Sequence, residues 1–145
     1  MSEPHYKVGY TQGVYDMFHI GHLNLLNNAK KYCDYLIVGV NTDRLVKSYK
    51  NKSPVINERD RLAIISNIKV VNECQLVNTL DKTEIYNTHP FDVIFIGSDW
   101  KGSSRWEQTE KDMAKLGVAF IYLPYTQGIS STGLRLDKDE RIEES

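Results

Sequence analysis

The sequence predicts an α/β fold, an open parallel sheet with helices on both faces. Three observations carry this. Short β-rich runs alternate along the chain with segments of helical period, the pattern of successive βαβ units. The run Tyr35–Val40 is almost continuously apolar, as a parallel strand covered on both faces requires. Polar segments follow four of the strands, and in open sheets the ligand lies outside the carboxyl ends of the strands, where strand order reverses.

The first strand is Tyr6–Thr11. It enters T-Q-G-V-Y-D-M-F-H-I-G-H, residues 11–22, where Gly13 is expected to make the tight turn. A helix follows from about Ile20 to Tyr32, with Leu23, Leu25, Leu26 and Ala29 as its apolar positions. The second strand, Tyr35–Val40, leads into a polar stretch, Asn41–Asn57, read as a long loop that carries Lys47, Lys50, Lys52 and Pro54. The next helix runs from about Glu58 to Ile68, and the third strand lies near Cys74–Val77. A short helix over Lys82–Asn87 precedes Pro90, and the fourth strand is Val93–Ile96. A helix over about Ser104–Leu116 ends at Gly117, the residue expected just past a helix C-terminus. The fifth strand is Ala119–Leu123, and a last helix is expected to start at Ser131 after a loop at 124–130. No internal repeat or low-complexity segment is visible.

The 145 residues suffice for one domain with a real core and not for two of ordinary size, so residues 1–145 are read as a single domain with a charged tail at about 136–145. A net charge of −1 gives no argument for nucleic acid or an anionic membrane as partner. No apolar stretch is long enough to span a membrane, and M-S-E-P-H-Y-K is no signal peptide. Cys33 and Cys74 are then expected as free thiols in a reducing cytoplasm.

The chemistry concentrates at residues 11–22. A helix N-terminus presents free N–H groups and partial positive charge, which suits an anion. His19 and His22 are three residues apart and share a helix face, with Gly21 leaving room beside them. Two imidazoles, His19 and His22, and a helix start converging on one spot describe a site for phosphate. Asp16 can orient the turn or an imidazole, or serve as an ordinary helix cap. A zinc set of Asp16, His19 and His22 is an alternative, against which the cysteines stand far off and form no C-x-x-C pair. For any one of Lys47, Lys50 and Lys52 a solvated loop is the simpler account, although a basic loop over a phosphate site is what triphosphate neutralisation uses. Arg59 and Arg61 open a helix where a cation opposes the dipole, which invites another explanation. Gly97 permits close approach at the end of the fourth strand, and Asp99 can accept from a base or a hydroxyl. Trp100 can stack or be core. In P-Y-T-Q-G-I-S-S-T, Gly128 gives a turn and Ser130, Ser131 and Thr132 cap a helix, a second phosphate cradle or a plain capped helix.

These residues carry a resemblance. H-I-G-H at 19–22, followed in order by N-E-R-D-R, G-S-D-W and T-Q-G-I-S-S-T, resembles the H-x-G-H nucleotidyltransferases, and within them the glycerol-3-phosphate cytidylyltransferase family with its choline- and ethanolamine-phosphate relatives. The resemblance covers about residues 6–135 and implies a Rossmann-like fold. It also implies that His19, His22, Lys47, Lys50 and Arg61 act on the phosphates of the reacting nucleotide. Thr11, Gly13, Val14, Tyr15, Gly97, Asp99, Tyr125, Thr126, Gly128, Ile129, Ser130, Ser131 and Thr132 would line the nucleotide, and Asp16, Asp43, Lys52 and Trp100 the second substrate. Which of the three lysines reaches the phosphates stays open. Four positions depart from the family pattern: Ser98 where Asp is usual, Lys69 where Arg is frequent, Asn72 where Asp is common, and Tyr125 where an Arg precedes the T-x-G-I-S run. The implied reaction joins an NTP, CTP first, to a small alcohol phosphate, glycerol 3-phosphate first, with Mg²⁺ accompanying the triphosphate and no protein-held metal. The product would feed a phosphate-rich surface polymer or lipid, and the enzyme would be a homodimer. Two alternatives stay open: a cytidylyl- or adenylyltransferase acting on another alcohol or sugar phosphate, which Tyr125 favours, and a nucleotide-binding regulatory module without turnover, which the intact H-I-G-H opposes.

Overall fold

The computed structural model describes residues 5–97 and 104–124. Its elements are β1 (Tyr6–Gly13), α1 (Ile20–Lys30), β2 (Cys33–Asn41), α2 (Asp43–Lys50), α3 (Glu58–Ser66), β3 (Glu73–Val77), α4 (Lys82–Thr88), β4 (Val93–Gly97), α5 (Ser104–Lys115) and β5 (Ala119–Leu123). All strand pairs are parallel, in the order β3-β2-β1-β4-β5. The chain winds one way from β1 to β3, then crosses over to continue beyond β1, so the order reverses between β1 and β4. The α/β expectation and the five strands hold.

Alternation along the strands divides the core in two. Leu36, Val38, Val40, Val93 and Phe95 pack with Leu25, Leu26 and Ala29 of α1 and Ile65 of α3. Ile37, Ile94 and Ile96 face the other way, with Ile85 of α4 and Trp106 and Met113 of α5. Each fully buried side chain of this size contributes about 1.5–3 kcal/mol, so both faces are needed to hold the sheet. Gly39 has a packing reason on the second face. A Cβ there would run into Tyr10 Oη and come within 3.2 Å of Val77 Cγ1. The bare backbone lets the Tyr10 phenol lie across β2 and donate to Gln12 Oε1 at 2.7 Å. Gly117 follows α5 with φ +77°, as its place past the helix end requires.

Two local expectations are corrected. The stretch Asn41–Asn57 is not one long loop, because α2 occupies Asp43–Lys50. Thr42 caps it, accepting from Leu45 N at 3.1 Å, and Asn51 closes it in the left-handed region at φ 58°. The helix buries only Leu45 and Val46, too few apolar positions to leave a period in the sequence. Nor does Gly13 make the turn after β1: it stays within the strand. The turn is made at Tyr15 (φ 54°) and Met17 (φ 49°), side-chain-bearing residues in a conformation that costs roughly 1–3 kcal/mol each and persists where the surroundings enforce it.

Candidate functional site

The surroundings that enforce this turn come from distant parts of the chain. Val14 is fully buried and packs with Val46 of α2. Asp16, also fully buried, accepts from Val55 N and Ile56 N at 2.8 Å each. Its carboxylate therefore fastens the connection between α2 and α3 to the turn. Asp16 is not a helix cap, and the three-ligand zinc set with His19 and His22 is not assembled. Among the described residues no group of three or more His, Cys, Asp or Glu gathers as metal ligands would. An asparagine at 16 would keep one acceptor and set an amide N–H₂ against a backbone N–H. Asp16→Asn is expected to cost about 1–3 kcal/mol, read as a lower urea midpoint at unchanged slope. An unchanged midpoint would show that this clamp does not hold the turn.

The turn delivers His19 as the N-cap of α1. Gly21 N donates to His19 Nδ1 at 3.0 Å, and His19 N donates to His22 Nδ1 at 3.2 Å. This is a capping box in which two histidines take the roles usually held by Ser or Thr and Glu or Gln. The rings stack with centroids 3.9 Å apart and 22° between planes. His22 is buried, edge-on to Tyr15 and tilted against Phe18. Because each Nδ1 accepts from a backbone N–H, each neutral ring carries its proton on Nε2. Two parallel Nε2–H donors, both on the ring edges away from the backbone, are what a phosphoryl group with charge spread over its oxygens can use.

The other sequence-predicted residues sort as follows. Thr11, nearly fully buried, donates through Oγ1 to Phe95 O at 3.0 Å and ties β1 to β4 at the point of reversed strand order. Gly97 ends β4 and is buried. Lys47 is exposed on α2, Lys50 Nζ lies 6.0 Å from the Tyr49 ring centroid, and Lys52 is half-buried after the helix. Lys47 and Lys50 fall in the last turn of α2, where cations complement the helix dipole. The stretch expected as a flexible loop over the phosphates thus carries Lys47 and Lys50 on a helix and Lys52 on the connection after it. Asp43 accepts from Arg61 Nη2 at 2.6 Å and from Glu58 N at 3.3 Å, bonds that orient it toward α3. Asp99, Trp100, Tyr125, Thr126, Gly128, Ile129, Ser130, Ser131, Thr132 and the expected last helix lie outside the described residues.

Arg61 departs from its expected role. Its side chain has no exposed surface. Nε donates to Ile56 O at 2.8 Å, Nη1 to Val14 O and Asn41 O at 2.8 Å each, and Nη2 to Asp43. A guanidinium so engaged does not face a triphosphate; it fixes the turn, the end of β2 and the start of α3 relative to one another. A polar chain that went unread in the sequence continues from there. Gln12 Nε2 donates to Asn41 Oδ1 at 2.8 Å and to Thr79 O at 3.1 Å, and Asn41 Nδ2 donates to Tyr49 Oη at 3.2 Å. The available signal was an amide side chain at an inward strand position. No thiol is placed for covalent chemistry: burial pushes Cys33 up to about 11, so it stays protonated at neutral pH, and burial likewise raises Cys74.

With this geometry in hand, the comparisons are direct. The sequence model of cytidylyltransferase-like proteins matches residues 10–136. The chain is similar to the glycerol-3-phosphate cytidylyltransferase of Bacillus spizizenii, 39% identical over 128 residues that cover 88% of this chain and 93% of that one. The glycerol-3-phosphate cytidylyltransferase of Bacillus subtilis is 33% identical over 126 residues, covering 86% and 92%. Among solved structures, a lipopolysaccharide core biosynthesis protein from Thermoplasma volcanium superposes with a TM-score of 0.70 at 29% identity, over 83% of this chain and 97% of that one.

Proposed function

The chain belongs to the cytidylyltransferase-like family, and on that premise we propose that it transfers the cytidylyl group of CTP to glycerol 3-phosphate, releasing pyrophosphate. The observation that carries the reading is the stacked His19–His22 pair with both Nδ1 atoms held by backbone. A phosphate oxygen of the acceptor attacks the α-phosphorus and pyrophosphate leaves, with no covalent intermediate. The Nε2–H groups of His19 and His22 donate to the phosphate oxygens as charge builds on them. Because the capping box fixes both rings before substrate arrives, little reorganisation is needed at the transition state. Lys47, Lys50 or Lys52 hold the outer phosphates. Mg²⁺ would accompany the nucleotide and supply charge neutralisation at its phosphates; Asp16 and Asp43 already accept from protein donors.

The relatives' names and the H-x-G-H motif support this choice of substrates. Residues 1–145 form one transferase domain on this reading, cytoplasmic and homodimeric, with a product destined for a phosphate-rich polymer or lipid. Tyr125 keeps one alternative alive, because a neutral phenol stands where the family pattern has a cation. A matrix of the four NTPs against several alcohol and sugar phosphates, read by pyrophosphate release with and without Mg²⁺, tests the proposal. The expected outcome is Mg²⁺-dependent turnover at least about tenfold faster for CTP with glycerol 3-phosphate than for any other pair, a difference of about 1.4 kcal/mol. Faster turnover with ATP or another acceptor overturns the substrate assignment, and no turnover with any pair overturns the transferase reading.

A further inference from the structure

The buried polar chain at the ends of β1 and β2 runs in one direction. Burial holds the Tyr10 phenol well above its usual range, so it stays a donor, and it gives its hydrogen to Gln12 Oε1 at 2.7 Å. Gln12 uses both amide hydrogens, on Asn41 Oδ1 at 2.8 Å and on Thr79 O at 3.1 Å. Asn41 has no exposed surface, and with its Oδ1 taken by Gln12 its Nδ2 donates to Tyr49 Oη at 3.2 Å. Each filled acceptor leaves the next amide one orientation, and members of such a chain strengthen one another.

Tyr49 is where this chain meets α2. The first turn of that helix is fixed several times over. Thr42 N donates to Val77 O at 3.0 Å, Thr42 Oγ1 donates to Asn78 Oδ1 at 2.8 Å, and Asp43 pairs with Arg61. The last turn is attached through Tyr49. At helical spacing from Leu45 and Val46, it extends the buried stripe, and its ring packs with Val14 and Val46. Val14 directly precedes the left-handed turn at Tyr15 that leads to His19. Helices shorter than roughly 12–15 residues are marginal on their own in water, and α2 has 8 residues, so its last turn depends on such contacts. Lys47 and Lys50 stand in that turn, with Lys50 Nζ 6.0 Å from the Tyr49 ring centroid.

We propose that Tyr49 is a positioning residue for the nucleotide: its hydroxyl docks the last turn of α2 on the buried Gln12–Asn41 amide pair and so sets where that turn's lysines stand relative to the His19–His22 pair. This rests on the transferase reading above, in which the lysines hold the outer phosphates. A turn docked before the nucleotide arrives need not be ordered on binding, so the hydroxyl acts on nucleotide affinity and not on the acceptor.

Tyr49→Phe keeps the ring and removes only the hydroxyl. KM for CTP is expected to rise about fivefold, as for the loss of one ordinary hydrogen bond. KM for glycerol 3-phosphate and kcat should stay within about twofold of wild type. Tyr49→Leu, which also removes the ring, should show the same selectivity with a larger rise. Limited trypsin digestion, with cut sites identified by mass spectrometry, reads the docking without turnover. Cleavage after Lys47 and Lys50 should quicken about fivefold in Tyr49→Phe, while cleavage after Lys111 and Lys115 of α5 keeps its wild-type rate. Equally faster cleavage at all four sites would make the hydroxyl a general stabiliser and overturn the proposal. KM values that rise together, or do not move, also overturn it. So does a raised KM for CTP with unchanged cleavage, which would make the hydroxyl a direct contact of the nucleotide. Wild type inactive with every substrate pair would instead sink the transferase reading and the nucleotide role with it, while the digestion still decides the docking.

Discussion

His22→Gln is expected to lower kcat by about 10²–10³-fold, the cost of removing one preorganised donor from charge that develops in a transition state, while the fold survives. The choice of glutamine follows from the capping box. Its N3 position ordinarily holds Glu or Gln, whose side chain accepts from the N-cap N–H, and His22 Nδ1 makes that bond to His19 N. Glutamine can keep it, and the start of α1 with it. What glutamine cannot supply is a second ring nitrogen fixed beside His19, stacked at 3.9 Å. His22→Ala removes both functions and adds the loss of the cap, about 1 kcal/mol, with a small cavity against Tyr15 and Phe18. The two variants should therefore share a low kcat and differ in melting temperature. Pyrophosphate release near the wild-type rate from folded His22→Gln would remove the imidazole from the chemistry and the phosphate reading with it.

The sequence was most legible where a signal repeats within a short window. Apolar runs located all five strands, and Ala119–Leu123 has the bounds expected. Gly117 marked the end of α5 because only a local rule, the residue after a helix, was needed. The pairing of His19 with His22 was legible for the same reason, through their spacing. What stayed hidden depends on partners far apart. The two amides that Asp16 holds are 39 and 40 residues away, and no window shows that a carboxylate written as a helix cap is a cross-chain clamp. α2 was hidden because its polar capping residues, Thr42 and Asn51, read equally well as loop. The lysines look alike in sequence, yet Lys47 and Lys50 sit on a helix and Lys52 on the connection that Asp16 fastens. Segments after β4 and β5 lie outside the described residues, so their part in the site is still argued from G-S-D-W and T-Q-G-I-S-S-T alone.

Arg61→Met is expected to destabilise the protein by about 3 kcal/mol, mainly because three carbonyls lose a charged donor; Asp43, 37% exposed, recovers part of its loss in water. Methionine fills much of the space but leaves Val14 O, Asn41 O and Ile56 O without their donor and Asp43 without its cation. Against a total stability of about 5–15 kcal/mol, that loss should lower the melting temperature by about 10 °C or more. The family resemblance pointed to a different outcome. An arginine that touched only the triphosphate would raise KM for CTP and leave stability alone. Sequence reasoning was right that a cation near the start of α3 needs an explanation, and the structure supplies one inside the protein. The position of Val14 O matters most, because it precedes the left-handed turn at Tyr15 that aims His19. Loosening it should move the histidine pair, so kcat should fall along with stability. Arg61→Lys separates charge from geometry: an ammonium keeps the charge but cannot fork to four acceptors at the guanidinium's spacing, and its stability should lie between wild type and Arg61→Met. Urea midpoints and steady-state constants measured on the same preparations decide the matter. An Arg61→Met protein as stable as wild type, with only the CTP KM raised, would return the guanidinium to the nucleotide.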